Sequence, residues 1–230
     1  MSDRLPPELL AKLRRYTSPT LANAVETFDV RPRTAGYTSS QIRCVFPELG
    51  PMVGYAYTAT VRSSTPPPKE AAALRLASWR ALEEIPAPRI MVLQDLDDPP
   101  GVGAYWGDVQ SNIHRALGCV GAVTNGSVRD LDEVRSLGFH FFAGSISVSH
   151  AYIHLVQIGV PVDVGGLTVR PGDLLHGDQH GVLAIPAEVA GRIPEGVAKV
   201  DHVERQLIAY CQRPDFTRQG LEDLYRQLRG

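Results

Sequence analysis

Cysteine is scarce in this chain: Cys44, Cys119 and Cys211 are the three among 230 residues, odd in number and widely spaced. No Cys-x-x-Cys or Cys-x-x-His pattern occurs, which argues against a disulfide framework or a zinc knuckle. Long apolar stretches are missing as well. Nowhere do about 18 apolar residues run together, and the opening Met-Ser-Asp-Arg-Leu-Pro-Pro has no apolar signal segment, so a cytoplasmic location is expected. The chain also lacks any run of Lys or Arg. Its formal net charge is −2, so no global field recruits nucleic acid or an acidic membrane, and neither is expected as a partner. No internal repeat and no flexible linker interrupts it, and one domain over residues 1–230 is expected.

What is present is an ordinary globular composition, 43% apolar and 21% charged, enough to bury a sizeable core. Short amphipathic helices are predicted first, at Glu8–Tyr16 and at Thr20–Phe28, the second capped by Ser18 with Pro19 at its first position. Pro32–Pro51 reads as irregular. Strands at Tyr55–Arg62, Arg89–Leu96, Val120–Thr124 and Phe139–Ala143 alternate with helices at Lys69–Glu84, Val109–Leu117 and Asp130–Leu137, the last stopped by Gly138. That alternation predicts a parallel or mixed sheet with helical crossovers. After Ser145 come five short β segments between Ile153 and Ile185, separated by glycine-rich turns, which read as a compact β layer or partial barrel. Helices at Glu195–Cys211 and Thr217–Leu228 close the chain. The fold class expected is α/β, a mixed sheet plus a β-rich layer with flanking helices.

One spacing stands out. Asp108, in Trp-Gly-Asp-Val-Gln, is followed after twenty residues by Arg129-Asp130. The segment between reads as helix, turn and buried strand, a unit that returns both ends to one edge of a sheet. The first helical amides, those of Val109 and Gln110, suit a carboxylate. Arg129 can bind carboxylate or enolate oxygens bidentately. Asp130 is a hard ligand for Mg²⁺, Mn²⁺ or another divalent cation, which take only one or two protein carboxylates. Asp108 beside a metal-bound water is placed to be, or to orient, a general base. The same residues are equally accounted for as two helix caps and a surface ion pair.

Other motifs are weaker. Gly101-Val102-Gly103 follows a strand, but the third glycine of a nucleotide loop is misplaced and Pro99-Pro100 precede it. The pairs His150/His154 and His176/His180 are four apart, a spacing that aligns ligands on a helix, yet both fall in β or turn segments. Asp97-Asp98 is a lesser candidate for a metal ligand.

Together, Ala104-Tyr105-Trp106-Gly107-Asp108, the Arg129-Asp130 pair, Arg170-Pro171-Gly172-Asp173 and Asp178-x-x-Gly181-Val182 resemble the RraA-like family. That family includes class II 4-hydroxy-4-methyl-2-oxoglutarate/4-carboxy-4-hydroxy-2-oxoadipate aldolases. The resemblance runs from about Pro19 to the helix after Pro186. It implies a swivelling β/β/α domain, here with an N-terminal helical extension and C-terminal helices, assembled as a homotrimer or homohexamer. It implies Mg²⁺-dependent cleavage of a 2-oxo acid to pyruvate, with oxaloacetate decarboxylation as a side activity. By position, Gly107, Asp108, Val109 and Gln110 would hold the pyruvyl carboxylate, Arg129 the substrate oxygens and Asp130 the metal. Asp108 would order the metal-bound water, and Glu204 from a neighbouring subunit would approach the metal.

Two departures bear on substrate. Val109-Gln110 stand where the aldolases have two leucines, and the Arg31–Pro51 segment is longer than the family's, with Arg31, Arg33 and Arg43 available to grip further carboxylates. A second functional class within the family is the non-catalytic regulator of ribonuclease E. Members of that branch lack the two acids that this chain has at Asp108 and Asp130.

Overall fold

The computed structural model describes residues 4–229. Helices α1 (Pro7–Leu13) and α2 (Ser18–Glu26) lead into β1 (Arg43–Cys44), a 3₁₀ turn at Pro47–Leu49 and β2 (Met52–Arg62). An alternating stretch follows: α3 (Ala71–Glu83), β3 (Arg89–Asp95), β4 (Ala104–Trp106), α4 (Asp108–Ala116), β5 (Cys119–Val128), α5 (Leu131–Leu137) and β6 (His140–Ile146). Then come β7 (His154–Ile158), β8 (Val162–Val164), β9 (Leu167–Val169), β10 (Leu174–Asp178) and β11 (Gly181–Ile185), and finally α6 (Ala187–Ala190), α7 (Ile193–Cys211) and α8 (Arg218–Arg229). Among the described residues no helix is long and apolar enough to cross a membrane.

Nine strands form one mixed sheet in the order β1-β6-β5-β3-β2-β10-β11, with β4 added on β5 and β7 on β2. The neighbours β2, β3, β5 and β6 are parallel, and α3, α4 and α5 lie in the connections between them. The β-rich half expected after Ser145 is largely continuous with this sheet. β7 and β10 both pair antiparallel with β2, β7 along its last residues and β10 along its first. Only the hairpin β8-β9 stands apart from the main sheet. The eleven residues of β2 are long enough to serve two antiparallel partners as well as β3, and its first ten are buried.

The irregular Pro32–Pro51 segment has an architectural role. Tyr37 bridges to Leu183 of β11, Thr38 N–H donates to Val182 O at 2.9 Å, and Arg43–Cys44 pair with β6 at the opposite edge. This segment joins the two edges and nearly closes the sheet, which also protects both from pairing with other chains.

Strand alternation sorts the core. On β3, Met91 and Leu93 enter one cluster with Tyr57, Trp106, Phe139 and Phe141, while Ile90 and Val92 enter another with Phe142, Val164 and Leu167 of the small hairpin. Each large side chain buried there contributes roughly 1.5–3 kcal/mol. A third cluster joins α1, α2 and α7 to β10 and β11.

Helix ends follow local chemistry, with two corrections. Thr17, not Ser18, caps α2: its Oγ1 accepts from Thr20 N–H at 3.3 Å. Ser18 is already helical, and its hydroxyl is drawn to His176 Nδ1 at 2.9 Å. Gly107, not Asp108, is the cap residue of α4. Gly138 ends α5 in the left-handed region at φ 71°, as its position predicts.

Candidate active site

The site lies where β5 leaves the sheet. Strand β4 pairs with the end of β5, Ala104 against Ser127 and Trp106 against Val128, and Arg129 N–H donates to Trp106 O at 3.0 Å. This short strand brings the two distant segments side by side. Asp108 N–H donates to Asp130 Oδ2 at 3.0 Å, and Arg129 Nε lies 3.6 Å from the same oxygen. Asp108, Arg129 and Asp130 are thus brought together.

Gly107 permits this approach. Its backbone is extended, so any residue could adopt it, but a Cβ would run into Asp130 Oδ2 and lie 3.1 Å from Arg129 Cγ. Asp130 sits in the left-handed region at φ 54°, which Asp tolerates better than most residues but still at a cost. It occupies the cap position of α5 without making a side-chain cap hydrogen bond there. Its carboxylate instead reaches across to α4, supplying the cap that Asp108 does not. The Asp108 side chain is held along its own helix, Oδ1 accepting from Asn112 Nδ2 at 2.7 Å.

A cavity of about 350 Å³ opens beside this cluster, lined by Gly107, Val109, Gln110, Arg129 and Asp130, by Arg75, Ala104 and Tyr105, and by Pro67 and the His150–Ile153 loop. Val109 and Gln110 occupy first-turn positions whose N–H groups have no intrahelical carbonyl to reach. Two guanidinium groups, one carboxylate and the positive end of α4 line one small space, so the cavity favours an anion. Asp108 is near this cavity but not on its wall.

Behind the wall lies a buried polar group. His114 Nδ1 sits 2.7 Å from Gln110 O and so carries the proton it donates, while Nε2 has no hydrogen-bond partner among the described residues. Burial, assisted by the Arg75 charge, pushes this histidine down to about 4. Tyr105 Oη is also buried without a partner, and burial pushes it up to about 12 against the opposing pull of Arg75.

The remaining sequence candidates separate from the site. Asp97 is saturated: Oδ2 accepts from Ser63 N–H, Ser63 Oγ and Ser64 N–H, and Oδ1 from Ser64 Oγ. His150 lines the cavity, while His154 is buried with Nδ1 at 2.8 Å from Tyr152 O. His176 is locked between Ser18 and Tyr16 O, and His180 turns to Asp178, so neither spacing yields a shared ligand pair. In the Arg31–Pro51 segment, Arg31 donates to Ala184 O at 2.7 Å, Arg33 pairs with Glu26 and Arg43 lies on β1; none lines the cavity. Glu204, exposed on α7, accepts from Asn23 of α2 at 3.3 Å and does not line the cavity of its own chain. The residue that sequence reasoning missed is Arg75. Its signal was a lone charge in Ala-Ala-Ala-Leu-Arg-Leu-Ala, a helix otherwise read for its apolar periodicity.

Among the described residues no group of three or more His, Cys, Asp and Glu converges as a metal cage. The donor set fits Mg²⁺, which retains several waters and binds through one or two carboxylates. Asp130 is the carboxylate on the cavity wall, and its Oδ1 accepts no hydrogen bond among the described residues.

A nearly closed mixed sheet with flanking helices, carrying an arginine, an acid and a helix N-terminus beside one cavity, defines an α/β protein. The model of the RraA-like family, described as Aldolase/RraA, matches residues 19–184, and the chain belongs to that family. It is 32% identical over 105 residues to an uncharacterised protein of Methanocaldococcus jannaschii, covering 45% of this chain and 50% of that one. It is 36% identical over 84 residues to a Halalkalibacterium halodurans protein named "Putative 4-hydroxy-4-methyl-2-oxoglutarate aldolase", covering 36% of this chain and 40% of that one. The matches thus span half or less of those relatives. Among solved structures, Streptomyces coelicolor RraAS2, titled an unusual member of the RNase ES inhibitor RraA protein family, superposes with a TM-score of 0.69 at 23% identity, covering 92% of this chain and 99% of that one. An uncharacterised Pseudomonas syringae protein gives 0.74 at 21% identity, covering 99% and 97%. These likenesses establish the fold.

Proposed function

We propose that this chain is a divalent-metal-dependent lyase that cleaves a 2-oxo acid to pyruvate. The observation that carries the reading is Asp130: an aspartate in a strained backbone conformation, with one carboxylate oxygen accepting no hydrogen bond among the described residues, on the wall of a cavity that Arg75 and Arg129 also line. Asp130 would hold Mg²⁺ or a similar ion, which when bound would supply Lewis-acid stabilisation of the charge developing on the 2-oxo oxygen. The first-turn amides of Val109 and Gln110 would bind the substrate carboxylate, with Gly107 allowing its close approach. Arg129, which touches Asp130, would hold the 2-oxo oxygen in line with both.

In the retro-aldol direction a base removes the proton of the substrate's distal hydroxyl, the adjacent C–C bond breaks, and its electron pair passes to the 2-oxo group. Asp108 is the base of this proposal, acting through an intervening water because its carboxylate lies off the cavity wall with Oδ1 held by Asn112. Loss of carbon dioxide from oxaloacetate uses the same electron sink. We further propose a trimer or hexamer in which Glu204 of a neighbouring copy completes the metal surroundings. Glu204 is exposed, and among the described residues its hydrogen bond is from Asn23, at 3.3 Å.

Pyruvate release from oxaloacetate and from 4-hydroxy-4-methyl-2-oxoglutarate, with Mg²⁺ and with EDTA, tests the proposal. Metal-dependent turnover of at least one is expected, and Asp130→Ala abolishes it with the fold intact. Full activity in Asp130→Ala would sink the site assignment. The alternative, a non-catalytic regulator, requires endoribonuclease inhibition by the purified protein that Asp130→Ala leaves unchanged.

A further inference from the structure

A second cavity, of about 270 Å³, lies at the amino ends of the parallel strands, the edge of the sheet opposite Asp130. Met52 and Val53 open β2, Pro88 precedes β3, Val120 stands near the start of β5 and His140 begins β6; all of them line it. Helix α1 adds the apolar Pro7, Leu10 and Ala11. Beside this apolar lining stand two cations and no acidic residue. Arg4 donates to Ala87 O at 3.1 Å and Arg14 Nε donates to Pro51 O at 2.8 Å. Neither has a carboxylate partner among the described residues, so most of their N–H donors remain. His140 is 4% exposed, and its ring makes no hydrogen bond among the described residues. Nδ1 is sealed from solvent whereas Nε2 is not, so the accessible part of this ring includes a nitrogen that a ligand can reach. Burial, and after it the Arg14 charge, keeps the imidazole neutral, pushed down to about 4. Every polar side chain of this lining donates hydrogen bonds, and what the cavity lacks is an acceptor. A carboxylate supplies one for both guanidinium groups and for Nε2–H.

We propose that this cavity binds a small apolar monocarboxylate, an aromatic or branched aliphatic acid, with its carboxylate on Arg4, Arg14 and His140 Nε2 and its body against Leu10, Val53 and Val120. Size and lining choose the class. At about 270 Å³ the cavity falls just below the common range of roughly 300–1,000 Å³ for ligand sites, so the occupant is small. A second charged group on the ligand would lie against the apolar wall, and a bare inorganic oxyanion would leave that wall wet. Arg4 precedes α1 and Arg14 ends it, so the bound acid ties both ends of this helix to the strands. The site is separate from the cavity at the end of β5 and does not depend on the 2-oxo acid reading.

Isothermal titration of the full chain with phenylacetate tests this, with phenylacetamide as the neutral isostere and sulfate as the bare oxyanion. Oxalate and Mg²⁺ are present to occupy the other cavity. Phenylacetate should bind at millimolar concentration or below and slow amide exchange over Pro7–Leu13, with phenylacetamide and sulfate each weaker by about tenfold or more. Arg14→Gln and Ala11→Glu, both at exposed positions, should each weaken phenylacetate by about tenfold, the glutamate by pairing with the arginines itself. His140→Phe should weaken it by roughly threefold, and Asp130→Ala should leave it unchanged. An intact melting temperature reports the fold of each variant. Binding that survives both Arg14→Gln and Ala11→Glu, or that Asp130→Ala removes, places the acid elsewhere and overturns the proposal. Sulfate binding as tightly as phenylacetate would overturn the apolar class, and no phenylacetate binding at millimolar concentration would overturn the site.

Discussion

Gly107→Ala isolates the contact on which the site is built. The backbone at Gly107 is extended, with φ −161°, so alanine carries no conformational penalty there and the effect is purely one of space. The added methyl would collide with Asp130 Oδ2 and press on Arg129 Cγ, 3.1 Å away. The carboxylate is the end of a short side chain and can swing aside, so the backbone need not move. What is lost is the Asp108 N–H···Oδ2 bond of 3.0 Å. A hydrogen bond to a charged acceptor contributes about 1.5–3 kcal/mol, and here the lower half of that range applies because the Asp130 side chain is 35% exposed. At about 2–4 °C per kcal/mol for a chain of this size, the melting temperature should fall by roughly 3–8 °C. Activity should fall far more, by about 10²-fold, since displacing a positioned group by an ångström has that scale of effect. Thermal melts and Mg²⁺-dependent pyruvate release measure the two quantities. A double-mutant cycle sharpens the test: in an Asp130→Ala background the bond is already absent and the methyl meets no carboxylate, so Gly107→Ala should cost about 1.5–2 kcal/mol less than in the parent. Strict additivity of the two substitutions would refute the proposed contact.

Mild acid should destabilise the fold by charging its buried histidines. His114, His140 and His176 are buried neutral and pushed down to about 4, whereas the unfolded chain protonates them near 6.5, so stability is complete above 6.5 and declines as pH falls from 6.5 to 4. Each histidine contributes a loss on the order of 3 kcal/mol across that window; Asp97 and Asp178, held low, add theirs only below it, and Asp95, raised by burial, opposes it by one group. Melting temperatures that stay flat between pH 6.5 and 4.5 would contradict the buried, neutral assignment. Thr17→Ala should cost about 1 kcal/mol by removing the cap of α2, and Ser18→Ala should leave that capping bond intact. A larger loss of the α2 cap from the serine change, read by amide exchange at Thr20, would reverse the assignment.

Periodicity made the alternating centre of the chain legible, because β3, β5 and β6 and the helices between them each carry their own local signal. Gly138 marked its helix end for the same reason: a left-handed residue after an apolar turn has few other uses. Pairing was not legible. A period of two says that Leu174–Asp178 is a strand, but not that it lies against Met52–Tyr55, some 120 residues earlier. Nor could Tyr37–Cys44 be read as the segment joining both sheet edges, since isolated bridges leave no alternation behind. The spacing from Asp108 to Arg129 did reveal the cluster. The three-residue strand Ala104–Trp106 that forces it together was too short to read. Arg75 escaped because lining a cavity depends on contacts from other elements, and no window along one helix contains those.

One edge of the sheet separates structural from available carboxylates. Asp95 and Asp97 leave the end of β3 and Asp130 the end of β5, so all three occupy the carboxyl ends of parallel strands, where ligands commonly bind in α/β sheets. Position alone therefore does not distinguish them. Their donors do. The two oxygens of Asp97 accept four hydrogen bonds from Ser63 and Ser64, with Arg62 at 3.8 Å beside them. Asp95 accepts from the amides of Asp97 and Gly101, bracing the loop that carries β4 into place. Asp130 has one amide and one arginine on a single oxygen, and it is held there by a backbone conformation that costs energy. The saturated pair fixes the loop geometry, and that geometry delivers Gly107 against Asp130. Removing a donor from Asp97 should therefore reach the site only by loosening that loop, whereas removing Asp130 deletes the group available to bind a cation or a substrate.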